Sequence, residues 1–258
     1  CLAVHQMRGT NNVAAVHLTD GLMTEAYPKH RHHAGKCSDG CAQHACVLWP
    51  ARARREQHAI WRQGESFFHR DFVVAHHNGH GAEFAQVVDA VQEIGAFTYV
   101  GVVERAASGG SVYCSLVAID PNAGIVSVHR KLKPTYGERL VWADGDGAGL
   151  VAHDHRGVRL TGLNCWENWM PLARSAMYAT GAQVHVAAWP GSAGLTEDIT
   201  RFIAKEGRLF VVSVGAMYCS EDLPDDIPVR DQLPSGQKYH NGGTCIAGPD
   251  GRWIVQPV

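Results

Sequence analysis

In the segment TGLNCWENWMPLARSAMY a cysteine, Cys165, stands at the end of an apolar run that reads as a strand and just before a run that reads as a helix. Free backbone N–H groups at such a junction, together with the positive end of a helix dipole, favour thiolate over thiol, and the thiolate is the form that attacks an electrophile. On spacing alone, an inert packed thiol is the competing reading. A second segment, SVHRKLKPTYGERLVWADGDG, sets His129, Arg130 and Lys131 directly after another strand candidate, with Glu138 a short loop later. Attack on a nitrile or carbonyl carbon pushes negative charge onto nitrogen or oxygen, and a fixed ammonium stabilises that charge in the transition state. By itself HRKLK also reads as a solvated basic turn, and Glu138 as its salt-bridge partner.

Taken together, HRKLKPTYGERLVWADGDG and NCWENWMPLAR resemble the motifs around the catalytic lysine and cysteine of the nitrilase branch of the carbon-nitrogen hydrolases. The likeness runs with gaps from Phe67 to Gly251, with a short first-strand match at NVAAVHL. The resemblance implies an α/β chain folded as a four-layer α-β-β-α sandwich. It also implies a Glu-Lys-Cys triad that hydrolyses a nitrile to a carboxylic acid and ammonia without metal or organic cofactor. Cys165 would add to the nitrile carbon to give a thioimidate and then a thioester. Lys131 would stabilise the tetrahedral species, and a glutamate would move protons and activate water. Glu138 matches a second family glutamate that orients the lysine. Trp166 and Glu167, which follow the nucleophile, are expected at the substrate pocket. The partner implied is a small-molecule nitrile, and the family expectation is a homo-oligomer.

One element of the triad is missing. The family's general base sits in a motif like FPEAF, and the nearest counterpart here is VLWPAR, which puts Ala51 where the glutamate belongs. A base contributes roughly 10² to 10⁴ in rate, so Glu25 or Glu56 would have to take its place. Ala51 lies in an unusual stretch. Among Leu, Ile, Val and Phe, residues 21–66 contain only Leu22, Val47, Leu48 and Ile60, well under the ~20% below which a segment has too little apolar surface to order itself. The same stretch gathers His30, His32, His33, His44, Cys37, Cys41 and Cys46 with the basic run ARARR (51–55). It is expected to be a poorly packed, degraded part of a single domain spanning residues 1–258. The chain stops at Val258 in a strand pattern, where the family usually continues into a tail used in assembly, so a truncated end is expected.

The elements needed to position the two motifs are legible in apolar periodicity. NVAAVHL reads as an opening strand, and Phe84, Val87, Val88, Val91 and Ile94 form one helical stripe that Gly95 terminates. The runs 97–104, 111–119 and 124–129 read as strands joined by tight turns, and 158–164 as the strand leading to Cys165. A helix follows from Pro171, with Leu172, Ala173, Ala176 and Met177 on one face and Gly181 at its cap. Strand 184–189 comes next, then a helix opening near Thr196 with Ile199, Phe202 and Ile203 inward and Gly207 at its end. Strand 209–215 and a closing hairpin across Pro249-Asp250-Gly251 complete the pattern.

Composition narrows the function class. The chain has 258 residues, 45% of hydrophobic type, enough for a sizeable core, and its formal charge of -2 argues against nucleic acid or an anionic membrane as partner. Eight scattered cysteines in a chain of this length read as reduced thiols, and the opening CLAVHQMRGTNN has no signal-peptide pattern, so a cytoplasmic setting is expected. Three rivals remain: a non-catalytic scaffold of the same fold, an amidase using the same chemistry, and a zinc module built from Cys37, Cys41, Cys46 and the nearby histidines. The irregular cysteine spacing disfavours the zinc module, and His76, His77 and His80 read as loop residues. Family-like sequence on both sides of 21–66 generates the hypothesis that this stretch is read in a shifted frame. Resequencing the gene is expected to reveal a frame that restores a FPEAF-like motif; a clean sequence with no such frame makes the segment a genuine variant.

Overall fold

The structure, a computed structural model, describes residues 2–6, 13–18, 82–107, 110–219 and 238–258. Residues 21–66, with Ala51, Glu25, Glu56 and the cysteine and histidine cluster, lie outside the described residues, as do His76, His77 and His80.

Two sheets carry the architecture. The first is antiparallel throughout, in the order β1 (Leu2–Gln6), β2 (Val13–Leu18), β3 (Phe97–Arg105), β4 (Val112–Asp120), β5 (Gly124–Arg130). The second runs β13 (Trp253–Val255), β12 (Cys245–Ala247), β9 (Phe210–Gly215), β8 (Val184–Trp189), β7 (Val158–Asn164), β6 (His153–His155), and its central strands β7, β8 and β9 are parallel. A separate ribbon pairs β10 (Met217–Cys219) with β11 (Lys238–Asn241). Parallel strands need crossovers, and the helices α2 (Pro171–Ala179) and α3 (Ala193–Gly207) supply them. A further helix, α1 (Ala82–Ile94), lies on the other sheet.

Burial defines four layers. Phe97, Tyr99, Leu116 and Ala118 of the first sheet pack against Leu160, Val186, Val212 and Ile246 of the second. On the outer face of the first sheet, Phe84, Val87 and Val91 of α1 meet Val100, Val102, Val117 and Ile119. On the outer face of the second, Ile199, Ile203 and Ala204 of α3 meet Ala187, Trp189 and Val211. Because strand side chains alternate between faces, each strand serves two cores at once, and the expected α-β-β-α sandwich follows. Polar ties reinforce the inner layer: the His153 ring bonds the Tyr99 hydroxyl at 3.0 Å and the Ser127 hydroxyl at 2.7 Å, so β6 of one sheet is held to β3 and β5 of the other.

Most expected elements occupy their expected positions, and Gly95 and Gly181 follow α1 and α2 at φ +71° and +77°, where an L side chain would be strained. Three expectations are corrected. α3 opens at Ala193, a turn before Thr196, and Thr196 is buried with its hydroxyl on the Ser192 carbonyl. Phe202 is 50% exposed, with the Arg174 guanidinium 5.2 Å from its ring centroid, so it lies on the outer side of the helix and not inward. Leu172 is 84% exposed; it sits in the first turn of α2, and the inward face is carried by Ala173 and Met177. Strands β1, β6, β10 and β11 were not anticipated, being short and without a strand-like apolar alternation.

Gly162, in the middle of β7, is a position at which the two sheets approach closely on the way to Cys165. A Cβ there would lie 2.9 Å from two Tyr99 ring carbons and 3.1 Å from Leu116 Cδ2. Gly162→Ala is expected to lower stability by about 1–3 kcal/mol through overpacking. Gly194→Ala, at an exposed helical site with nothing within 4 Å of the added carbon, is expected to be neutral or stabilising by up to about 1 kcal/mol. Urea unfolding of the two variants checks the contrast.

Candidate active site

Lys131 and Cys165 come from different sheets. β5 ends at Arg130 and β7 ends at Asn164, so each residue is the first beyond its strand. Cys114 of β4 joins the two ends: its carbonyl accepts the Lys131 N–H at 2.8 Å, and its sulfur accepts from Asn164 Nδ2 at 2.9 Å. Glu167 makes a second tie, with one carboxylate oxygen on the Leu132 N–H at 2.8 Å and the other on His129 Nε2 at 2.9 Å and on the Asn164 N–H at 3.4 Å. Glu167 is fully buried, so it stands behind the cysteine as a brace between the two strand ends and does not face an open pocket.

The chain beyond β5 folds back over the lysine. Tyr136–Leu140 forms a 3-10 turn, and Glu138 caps its start by accepting the Thr135 N–H at 2.5 Å. The same carboxylate oxygen takes the Lys131 ammonium at 2.7 Å, and the Thr135 hydroxyl takes it at 2.9 Å. The lysine is buried, with 1% of its surface exposed. Burial pulls its ammonium towards lower pKa, but electrostatic interactions with Cys165, Cys114 and Glu138 and the hydrogen bond to Glu138 outweigh that, and the net shift is upward. Lys131 is therefore a fixed, retained positive charge.

Cys165 opens a second 3-10 turn, Cys165–Trp169, with φ at +56°. It is half-buried. The expectation that this junction lowers the thiol pKa is corrected: burial pushes it up, and Lys131 and the Trp166 backbone N–H only partly oppose that, while Glu138 and Glu167 add to the rise. Local dipoles act as expected, but desolvation of the anion is the larger effect. Trp166 is 48% exposed and its ring centroid lies 5.5 Å from that of the also exposed Trp169, so the turn that begins at Cys165 carries an exposed aromatic surface.

The structure thus brings together Cys165, Lys131 and Glu138, with Trp166 at the surface and Glu167 behind. Sequence reasoning missed a buried polar chain beneath the cysteine. Asn168 Nδ2 donates to the Cys165 carbonyl at 2.9 Å and the Leu163 carbonyl at 3.2 Å, Asn168 Oδ1 lies 2.9 Å from His185 Nε2, and His185 Nδ1 lies 3.0 Å from the Thr161 hydroxyl. The available signal was His185 itself, a lone polar side chain in the otherwise apolar strand VHVAAW. Among the described residues no group of three or more His, Cys, Asp or Glu side chains is placed to hold a metal ion, and no helix is long and apolar enough to cross a membrane.

The profile of the carbon-nitrogen hydrolase family matches residues 53–257, which include every residue of this site. The chain belongs to that family. It falls in the nitrilase branch: it is 39% identical to an aliphatic nitrilase of Rhodococcus rhodochrous over 58% of this chain and 42% of that protein. It is 38% identical to a prokaryotic nitrilase 2 over 69% and 56%, and 35% identical to an arylacetonitrilase of Trametes versicolor over 65% and 56%. The chain therefore spans about half the length of the curated relatives it matches. A crystal structure of a Helicobacter pylori carbon-nitrogen hydrolase shares the fold, with TM-score 0.56 and 18% identity over 67% of this chain and 61% of that one. A Nesterenkonia amidase of the nitrilase superfamily aligns with TM-score 0.53 and 15% identity over 69% and 64%.

His185 yields a pH dependence with a definite sign. Burial, assisted by the Arg174 guanidinium, pushes its pKa down to about 3 from 6.5. The folded state therefore holds it neutral. Its contribution to stability is complete above pH 6.5 and is lost as pH falls from there towards 3. Between pH 7 and pH 5 this group alone is expected to remove about 2 kcal/mol, with His153, also depressed by burial, acting in the same direction. Urea unfolding across that range should show a shallower loss in His185→Gln than in the unmodified chain.

Proposed function

We propose that the chain hydrolyses a small nitrile to the carboxylic acid and ammonia through a thioester on Cys165. The observation that carries this reading is the buried Lys131 ammonium, pinned to Glu138 at 2.7 Å and interacting electrostatically with the Cys165 thiol. A buried cation held this way needs no reorganisation when charge develops next to it.

In this reading the Cys165 sulfur adds to the nitrile carbon while its proton passes to the nitrile nitrogen, giving a thioimidate. Water adds, ammonia leaves, and a thioester remains; a second water releases the acid and regenerates the thiol. Two waters are consumed for each nitrile. Lys131 stabilises the tetrahedral species, and Glu138, which the geometry binds to lysine and backbone together, keeps the ammonium aimed. Trp166 forms a pocket wall, and Glu167 fixes the spacing between nucleophile and lysine from behind. The nitrilase names of the relatives, the single-domain reading of residues 1–258 and assembly into homo-oligomers belong with this proposal. The free thiols Cys114, Cys165 and Cys245 suit a reducing, cytoplasmic setting.

Because the Cys165 thiol is held above its ordinary range, the reaction depends on a proton acceptor, and Ala51 stands at the family's position for one. That residue favours a second reading, a scaffold of the same fold without turnover. Ammonia release from a panel of aliphatic and aromatic nitriles decides between them. Ala51→Glu is expected to raise the rate over the unmodified chain by about 10² to 10⁴, and Lys131→Met in that background to lower it by about 10² to 10³. Cys165→Ala should abolish release. Silence in both the unmodified chain and Ala51→Glu leaves the scaffold reading standing.

A further inference from the structure

Cys165 holds φ at +56°, a region L-residues avoid because Cβ crowds the carbonyl. Something must keep it there. The Asn168 amide uses its two hydrogens on the carbonyls of Leu163 and Cys165, at 3.2 and 2.9 Å, and so grips the chain on both sides of the strand-to-turn junction. With Nδ2 assigned in this way, Oδ1 must face His185 Nε2, at 2.9 Å. That nitrogen donates, which leaves His185 Nδ1 to accept from the Thr161 hydroxyl at 3.0 Å. Asn168, His185 and Thr161 are all at most 1% exposed, and the Asn168 carbonyl is itself held by Arg174 Nη1 at 3.1 Å. Every member of the chain therefore has one orientation.

The consequence reaches the sulfur through a single peptide. In a trans peptide the C=O and N–H point in opposite directions, so the amide that holds the Cys165 carbonyl inward turns the Trp166 N–H outward. Turned that way, the Trp166 N–H is the backbone donor that opposes the rise burial imposes on the Cys165 thiol. We propose that Asn168, oriented by His185 and Thr161, is a positioning residue that locks the Cys165–Trp166 peptide with its N–H on the sulfur. The inference rests on Cys165 being the nucleophile of the proposed hydrolysis. A network that merely filled the core would satisfy the same donors but would leave the acidity and reactivity of the thiol unchanged when its donor to the Cys165 carbonyl is removed.

The test is the rate at which iodoacetamide alkylates Cys165, followed on the peptide that contains it by mass spectrometry across pH. Asn168→Leu keeps the approximate size of the side chain and removes its donors without adding a charge near the thiol. It is expected to slow alkylation at neutral pH about tenfold and to move the pH midpoint up by about one unit, the scale of one hydrogen bond. His185→Phe should shift the midpoint in the same direction, and His185→Gln, which retains a side-chain N–H, should recover most of the shift. A folded Asn168→Leu that alkylates with the midpoint of the unmodified chain overturns the proposal. If neither buried variant folds, hydrogen exchange of the Trp166 amide in the unmodified chain decides: protection of about 100-fold or more over a free peptide is expected, and unprotected exchange overturns it. Alkylation requires no turnover. A shifted midpoint in a chain that releases no ammonia therefore sustains this inference while removing the hydrolytic reading, and an unshifted midpoint in an active chain removes this inference alone.

Discussion

One buried carboxylate sets the distance on which the site depends. Glu167 accepts from Leu132 and His129, which flank Lys131 at the end of the first sheet, and from Asn164, which precedes Cys165 at the end of the second. Each sheet has its own hydrogen-bond ladder and its own outer helices, so apolar packing between them is tolerant of small slides. Donors that converge on one carboxylate are not. A slide would leave a buried acceptor or N–H without a partner, at about 1–3 kcal/mol each, and the side-chain bond from Asn164 to Cys114 would be lost with it. The lysine and the cysteine, drawn from separate layers, thereby inherit the rigidity of both.

On that frame the electrostatics follow from burial. Removing Lys131 from water would ordinarily favour the neutral amine, yet the Glu138 carboxylate bound to it keeps it charged. Removing Cys165 from water favours the neutral thiol, and Lys131 offsets only part of that. The resting pair is thus ammonium beside thiol, with the positive charge in place before any negative charge appears. Under the proposed hydrolysis such a site would stabilise what forms during reaction more than what is present at rest, the condition for lowering a barrier. Under the proposed hydrolysis it leaves deprotonation of the thiol to a further group.

The sandwich itself is a consequence of two-sided strands. Val100, Val102, Val117 and Ile119 face α1 while Tyr99, Leu116 and Ala118 on the same two strands face the second sheet. β7 needs a residue without a side chain where it crosses Tyr99, and Gly162 provides it. Where polar residues enter these layers they arrive paired: His153 with Tyr99 and Ser127, His185 with Thr161 and Asn168. These pairs make the alignment of the layers specific, since an apolar contact at the same place would hold in several registers.

The sequence by itself determined the strands and helices with strong periodicity, the two motifs, and through them the family. Apolar spacing and chain punctuation are local properties, and the runs around Lys131 and Cys165 carry their order within the chain. The thiol's direction of shift, the inward turn of Glu167, the exposure of Leu172 and Phe202, and the chain from Thr161 through His185 to Asn168 were decided only by tertiary structure. Each depends on partners distant in sequence: desolvation of Cys165 by layers on both sides, β5 held against the turn after β7, Arg174 laid over Phe202, and β8 set beside β7. A one-dimensional pattern can reveal that His185 is out of place among apolar neighbours. Which side chains satisfy it, and that their last hydrogen bond ends on the Cys165 carbonyl, is settled by the packing of the sheets.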